Sequence, residues 1–346
     1  MTTLREVAAQ AGVSATTAWR VAHGDAAVRP ETRQRVERVM RDFLYVLLHR
    51  EPATGVIGLL VPELSNPIFP ALAQALEARA TEAGFASILC NTRGAMFREI
   101  DYVHMLLDRR VDGMIFISCE MTNLRGDHSH YERLVEEGAR LVFVNGSLPS
   151  LGIPAVGIDE RTAGELATQH LIALGHTRIG FLAGPQHYLP TQLKMAGRTA
   201  ALRGAGLSCD ELVAHGAFGV DGGRAALAEL LDEHDSPPTG VICSSDLMAI
   251  GALQEATTRG LDVPRDLSVV GFDGIDATNW TRPPLTTIDE PIAEIAETAE
   301  TAVTALLQLI AEPDKALPDY YFRPTLRVRA STAPPPARVD SLASRA

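Results

Sequence analysis

The sequence predicts an α/β chain: a small three-helix head containing a helix-turn-helix, then a larger core of two lobes, each a doubly wound parallel sheet. Three observations carry this. Residues 1–45 hold three short amphipathic segments with a glycine turn between the first two. From Val56 onward, short apolar runs alternate with longer amphipathic ones, as strands and helices do in parallel sheets. The run VIGLLVP at residue 56 returns as RIGFLAGP at residue 178, which marks two lobes of one design.

In the head, Thr3 with Glu6 makes a capping box for a helix over 4–13, with Leu4, Val7, Ala8 and Ala11 inward and Gly12 ending it. Ser14 caps a second helix to about Ala22, turning Ala18 and Val21 inward and leaving Thr16, Thr17, Trp19 and Arg20 outward. Pro30 and Glu31 open a third, striped by Val36, Val39, Met40 and Phe43.

The first lobe then reads VIGLLVP, helix 68–84, ASILCNT, helix 98–110, DGMIFIS, helix 131–138 and RLVFVNG. After a long helix at 160–174, the second reads RIGFLAGP, helix 191–204, ELVAHGAF, helix 222–233, GVICSSD, helix 246–259 and LSVVGFD. LTTIDEP and a helix at 291–311 are expected to return to the first lobe. The expected domains are the head at 1–45, a hinge at 46–55 and the core at 56–330, with lobes at about 56–157 plus 288–330 and at 158–287. The tail STAPPPARVDSLASRA, 331–346, is polar and Pro-rich and is expected to be disordered.

Composition narrows the function. With 346 residues and 46% hydrophobic content the chain can bury real cores, yet no apolar run approaches the roughly 20 residues that span a bilayer. MTTLREVAAQ lacks the basic and apolar regions of an export signal, so a cytoplasmic protein with no membrane partner is expected. The four cysteines have no CxxC spacing, which suggests neither a disulfide framework nor a metal site. Net charge is -12, but residues 1–50 carry eight Arg against five acids, a basic head on an acidic body, as a nucleic-acid module would show. No GxGxxG follows a strand, and GxxxxGK[ST], GxSxG and HExxH are absent, so no cofactor and no enzyme are expected. His176, in LGHTRIG, is expected to meet the last carbonyls of a helix.

TLREVAAQAGVS, TTAWRV, GDAAVRPETRQRV, IGLLVPELSNPIF, RRVDGMI, HLIALGHTRIGFLAGP, AGRTAALRGAGL, SSDLMAIGAL, VPRDLSVVGFD and PPLTTIDEP, in this order, are specific. Together they resemble the LacI/GalR family of bacterial transcription regulators from about residue 3 to 330. The resemblance implies a homodimer whose subunits join a DNA-reading head, through a hinge, to a periplasmic-binding-protein-like core. It also implies double-stranded operator DNA and a small effector, a sugar or a derivative, as partners. An effector between the lobes would favour one of two lobe arrangements and so set the affinity for DNA.

By the same resemblance Ala15, Thr16 and Arg20 stand at base-reading positions, Ser14 and Thr17 at phosphates, and Thr3 among the DNA-facing residues. Arg20 can donate two hydrogen bonds to guanine, worth roughly 1–3 kcal/mol of discrimination, or it is a surface Arg paired with a carboxylate. Trp19 replaces the family's small hydroxyl residue. It can lie along a sugar with its indole N–H on a phosphate, pack against the third helix, or obstruct docking. His23 and Arg29 are further departures, and Arg29 exchanges a helix cap for a phosphate-reaching charge. The hinge VLLHREPATG is shorter than the family's, so Leu47 or Leu48 as a minor-groove wedge and Arg50 beside it compete with simple packing of the leucines.

For the effector, strand-end polar residues are the candidates: Asn66, Asn91, Asn145, Ser245, Asp246 and Asp273. Sugar hydroxyls both donate and accept, and such side chains supply the complement. Phe69 and Phe218 lie where relatives stack a ring on the ligand. Lys194 stands where relatives have Arg, keeping the charge without the planar fork. Arg198 replaces an aromatic and either adds a second cation or faces solvent. Two rivals stand beside the sugar-responsive repressor: a solute-binding transport component, and a regulator sensing a non-sugar acidic metabolite.

Overall fold

The computed structural model describes residues 4–22, 28–42, 54–209, 212–234, 236–289, 292–313 and 315–336. In the head, α1 (Leu4–Gln10), α2 (Ala15–Ala22) and α3 (Pro30–Asp42) close on Val7, Ala8, Ala11, Ala18, Val21 and Val36, all buried. α1 stops before residue 13, because Gly12 takes a φ of +63° and the Val13 N–H turns back to the Ala8 carbonyl at 2.9 Å. Ser14 caps α2, accepting the Thr17 N–H on its hydroxyl at 3.1 Å.

The core begins with β1 (Val56–Val61), α4 (Ile68–Glu82), β2 (Ala86–Asn91), α5 (Met96–Asp108), β3 (Gly113–Ile117), α6 (Ser129–Glu136), β4 (Leu141–Val144) and β5 (Ala155–Ile158). A 3-10 turn, Glu120–Thr122, lies between β3 and α6. The second series is α7 (Glu160–Ala173), β6 (Ile179–Ala183), α8 (Leu189–Gly204), β7 (Val213–His215), α9 (Val220–Asp232), β8 (Gly240–Cys243), α10 (Asp246–Thr258) and β9 (Ser268–Asp273). β10 (Thr286–Asp289), α11 (Ile292–Ala311), β11 (Tyr320–Phe322) and β12 (Thr325–Arg327) follow.

The first sheet has the order β11-β5-β4-β3-β1-β2 and the second β12-β10-β9-β8-β6-β7, every pair parallel except β10 with β12. Strand alternation feeds two cores in each lobe. In the first lobe Ile115 and Ile117 pack under α4 and α11, while Met114 and Phe116 pack under α5 and α6. In the second, Val241 and Cys243 face α9 and α10, and Ile242 faces α7 and α8.

The structure corrects the expectation that 288–330 belongs to the first lobe. β10 pairs with β9, Thr286 beside Val270 and Asp289 beside Asp273, and β12 covers its outer edge. Ile288 finds its apolar neighbours in Phe181, Ile242 and Phe272, and the buried Thr286 hydroxyl accepts the Arg329 N–H at 2.9 Å. Only α11 and β11 return to the first sheet, so the chain crosses between lobes three times, after β5, β10 and β11.

The expected start of the disordered tail also moves. Ser331 is fully buried, donating to the Val269 carbonyl at 2.6 Å and accepting the Thr286 N–H at 2.8 Å. The His176 backbone N–H donates to the Leu171 carbonyl of α7 at 3.0 Å, but its imidazole does not meet helix carbonyls. Its Nε2–H donates to the Ala333 carbonyl at 2.9 Å and its Nδ1 accepts from the Thr239 hydroxyl at 2.8 Å, while burial lowers its pKa and keeps it neutral. The small, hydroxyl-bearing residues of STA fit this edge, and residues 337–346 lie outside those described.

Candidate functional site

Both parallel sheets point their carboxyl ends at one another, and the space between them is a cleft of about 920 Å³. From the first lobe Asn66, Phe69, Asn91 and Asn145 line it; from the second, Lys194, Phe218, Ser245 and Asp273. The strand-end residues Arg93, Ser118, Asn145 and Asp273 take φ values of +55°, +45°, +56° and +107°. Positive φ is uncommon for residues with a side chain, and here it turns each strand abruptly at the cleft rim.

Individual contacts set the site's character. Asn66 is buried, accepts the Ile68 N–H on Oδ1 at 3.3 Å and reaches across the cleft from Nδ2 to Asp273 Oδ2 at 3.4 Å. Burial raises the Asp273 carboxyl to about 7, against the pull of Lys194. Lys194 Nζ lies 2.6 Å from Glu160 Oε2 and 5.0 Å from the Phe272 ring centroid. Two close backbone approaches hold that pair. A Cβ on Gly164 would meet the Lys194 carbonyl oxygen at 2.2 Å, and one on Gly197 the Arg161 carbonyl oxygen at 2.0 Å, so only glycine lets α7 and α8 pack this closely. Ser245 caps α10, accepting the Met248 N–H at 3.2 Å and donating to the Phe218 carbonyl at 3.0 Å, which fixes the loop carrying that ring.

Asp246 departs from the sequence expectation. It is fully buried behind the cleft wall, accepts the Thr287 hydroxyl at 2.6 Å and the Ile275 N–H at 2.9 Å, and holds the turn after β9. Arg198 is also buried, facing neither solvent nor ligand. Its guanidinium donates to the Ile179 carbonyl at 2.8 Å and the Cys209 carbonyl at 3.1 Å, the open backbone beneath α8.

The cleft adds residues that the sequence reading passed over: Glu63, Glu99, Glu120, Glu160, Arg93 and Tyr188. Glu99 Oε1 accepts from the Tyr131 hydroxyl and, at 3.0 Å, from His130 Nε2, while Oε2 accepts the Glu120 N–H at 3.0 Å. Burial pushes both the Glu120 carboxyl and the Tyr131 phenol upward. Only Glu160 carried a sequence signal, at the opening of a capped helix; Glu99 reads as an ordinary helix-surface acid.

At the head, Ala15, Thr16 and Arg20 are exposed on α2, and the Ser14 and Thr17 hydroxyls lie 2.8 Å apart at its start. Arg29 is exposed just before α3, where its carbonyl accepts the Arg33 N–H at 2.9 Å. The Trp19 side chain and Thr3, His23, Leu47, Leu48 and Arg50 lie outside the described residues. Among the described residues no helix is long and apolar enough to cross a membrane.

A helix-turn-helix joined in one chain to a two-lobed core with a cleft lined by both apolar and polar side chains defines a DNA-binding transcription regulator. Comparison makes this specific. A profile of the bacterial regulatory proteins, lacI family, matches residues 3–46, and one of the periplasmic binding protein-like domain matches 168–332. The HTH-type transcriptional regulator MalR of Streptomyces coelicolor is 39% identical over 342 residues, 97% of this chain and 98% of that protein. The transcriptional regulator CelR in complex with cellobiose superposes with a TM-score of 0.74 at 30% identity, covering 95% of this chain and 99% of that one. The lac repressor dimer bound to operator and the anti-inducer ONPF superposes with a TM-score of 0.71 at 27% identity, over 96% of this chain and 99% of that one. The chain belongs to the LacI family of bacterial transcription regulators.

Proposed function

We propose that this regulator binds a palindromic operator as a cytoplasmic homodimer, acts by binding alone without catalysis, and lets a neutral sugar in the interlobe cleft control its DNA affinity. The lining of the cleft carries this reading. Glu63, Glu99, Glu120, Glu160 and Asp273 face only Arg93 and Lys194 among charged lining residues, and Lys194 is already paired with Glu160. Carboxyl groups accept from hydroxyls, or donate to them where burial favours the protonated form, as at Asp273, whereas an acidic ligand would find Lys194 already taken, which weighs against a non-sugar acidic metabolite. Phe69 and Phe218 supply apolar faces for a sugar ring. A cellobiose-bound relative adds support by analogy. The head in the same chain weighs against a transport component.

On the DNA side, Arg20 is proposed to read bases with Ala15 and Thr16, while Ser14 and Thr17 position the helix on phosphates. The test is a gel shift with the gene's own upstream region, run at low salt with and without neutral mono- and disaccharides found by thermal shift. A retarded band whose intensity changes with one sugar is expected. No shift at low salt overturns the regulator reading, and a response confined to sugar acids overturns the neutral ligand.

A further inference from the structure

The 3-10 turn and the residues after it, 120–126, leave the first lobe and dock on the second. The Leu124 N–H donates to the His187 carbonyl at 2.8 Å, and Asn123 forms an antiparallel bridge with Tyr188. Tyr188 is the residue before α8, the helix that carries Lys194, and its ring sits edge-on to Phe218 at 6.0 Å. The segment is internally tied, with Asn123 Nδ2 donating to Glu120 Oε1 at 2.8 Å and the Gly126 N–H to the Asn123 carbonyl at 2.9 Å.

Its root is fixed from beneath. Glu99 takes the Glu120 N–H, the Tyr131 hydroxyl accepts the Met121 N–H at 3.2 Å, and His128 Nε2 lies 3.0 Å from the Glu120 carbonyl oxygen. Glu99 and His130 are almost wholly buried, whereas Leu124 at the tip is half exposed, so many contacts hold the root and few hold the tip. The three interlobe crossings lie at the strand ends that join the sheets, whereas this contact bridges separate loops at the cleft.

We propose that residues 120–126 form a cross-lobe strap that holds the effector cleft closed, with Glu99 as the residue that positions it. This deepens the effector reading by naming what must release before a ligand exchanges. Opening the lobes breaks the Leu124 to His187 hydrogen bond and the Asn123 to Tyr188 bridge, and closing them re-forms both. The strap therefore reports lobe separation directly to the start of α8.

Amide exchange on the full chain with no sugar present tests this independently of the effector's identity. In the wild type and in Leu124→Ala, which keeps the donor, the Tyr188 amide, which closes the docked turn on the Pro185 carbonyl at 3.2 Å, is expected to be protected. Leu124→Pro, which deletes the donor and so frees the 185–188 turn, is expected to speed exchange of the Tyr188 amide about fivefold, the factor equivalent to about 1 kcal/mol for one hydrogen bond, while β3 and α10 stay unchanged. Glu99→Gln, which leaves the cross-lobe contact chemically intact, is expected to raise exchange at Leu124 itself. An unprotected Leu124 amide in the wild type overturns the strap. So does Leu124→Pro behaving as Leu124→Ala at the Tyr188 amide, and an unchanged Leu124 amide in Glu99→Gln overturns the positioning role. Absence of sugar binding would defeat the effector reading and leave these exchange results standing.

Discussion

Replacing Lys194 by Met removes one half of a buried ion pair and leaves the other half in place. The partners sit 2.6 Å apart with side chains only 7% and 14% exposed, so solvent does little to screen the abandoned Glu160 carboxylate. Breaking such a pair from one side costs about 3–5 kcal/mol, mostly the penalty of a buried charge without a counter-ion. At about 2–4 °C per kcal/mol for a domain of this size, the second lobe is expected to melt roughly 6–20 °C lower. The double variant Lys194→Met with Glu160→Gln removes both charges and is expected to recover most of that loss. Calorimetry of the effector-free chain supplies the three melting temperatures. A Lys194→Met protein melting within 3 °C of the wild type, or a double variant melting as low as the single one, would refute this account of the pair.

Three further expectations follow from other contacts. Gly197→Ala puts a Cβ where the Arg161 carbonyl oxygen lies at 2.0 Å, so α7 and α8 must separate by about 1 Å at a cost of roughly 1–3 kcal/mol. A thermal melt and an effector titration should both show the loss. Arg20→Ala should cost roughly 1–3 kcal/mol on the operator and little on random DNA; equal losses in salt-matched gel shifts would make Arg20 a phosphate contact. For Asp273, faced by Asn66, Lys194, Glu160 and Asp246, the folded pKa is raised to about 7 by burial. Its contribution to stability is therefore full below the unfolded pKa of about 4 and is lost as pH rises through about 7. The effector-free protein should lose melting temperature between about pH 4.5 and 7 and level off above that, and Asp273→Asn should flatten that slope; an unchanged slope would assign the loss to another group.

The legible parts of this molecule were those in which one residue type serves one local purpose. Asn145 follows an apolar strand, and a turn at a strand's carboxyl end is where an open α/β sheet meets its ligand. Asp246 follows a strand in the same way, yet its carboxylate serves Thr287 and the Ile275 N–H. Nothing local distinguishes the two, because Thr287 is 41 positions away on β10, a strand that had been expected in the other lobe. β11 and β12 span three residues each, too few for alternation to show a period. Glu99 stayed hidden because its partners His130 and Tyr131 lie some thirty positions downstream and meet it only through the packing of α5 against α6. Arg198 shows the converse: its burial depends on carbonyls of Ile179 and Cys209 that no pattern of side chains announces.

The threading of the chain back and forth between the lobes bears on how the molecule is made. The first sheet waits for α11 and β11, and the second for β12 and the Ser331 anchor, so neither lobe is continuous in sequence. On the ribosome the DNA-reading head emerges while both lobes still lack pieces, and these are supplied only once residues 292–331 have been made. Domains tend to fold as units from the N-terminus onward. Here the head can find its structure early, but the sensing half matures in one late step, so a nascent chain has a reader before it has a means of being switched.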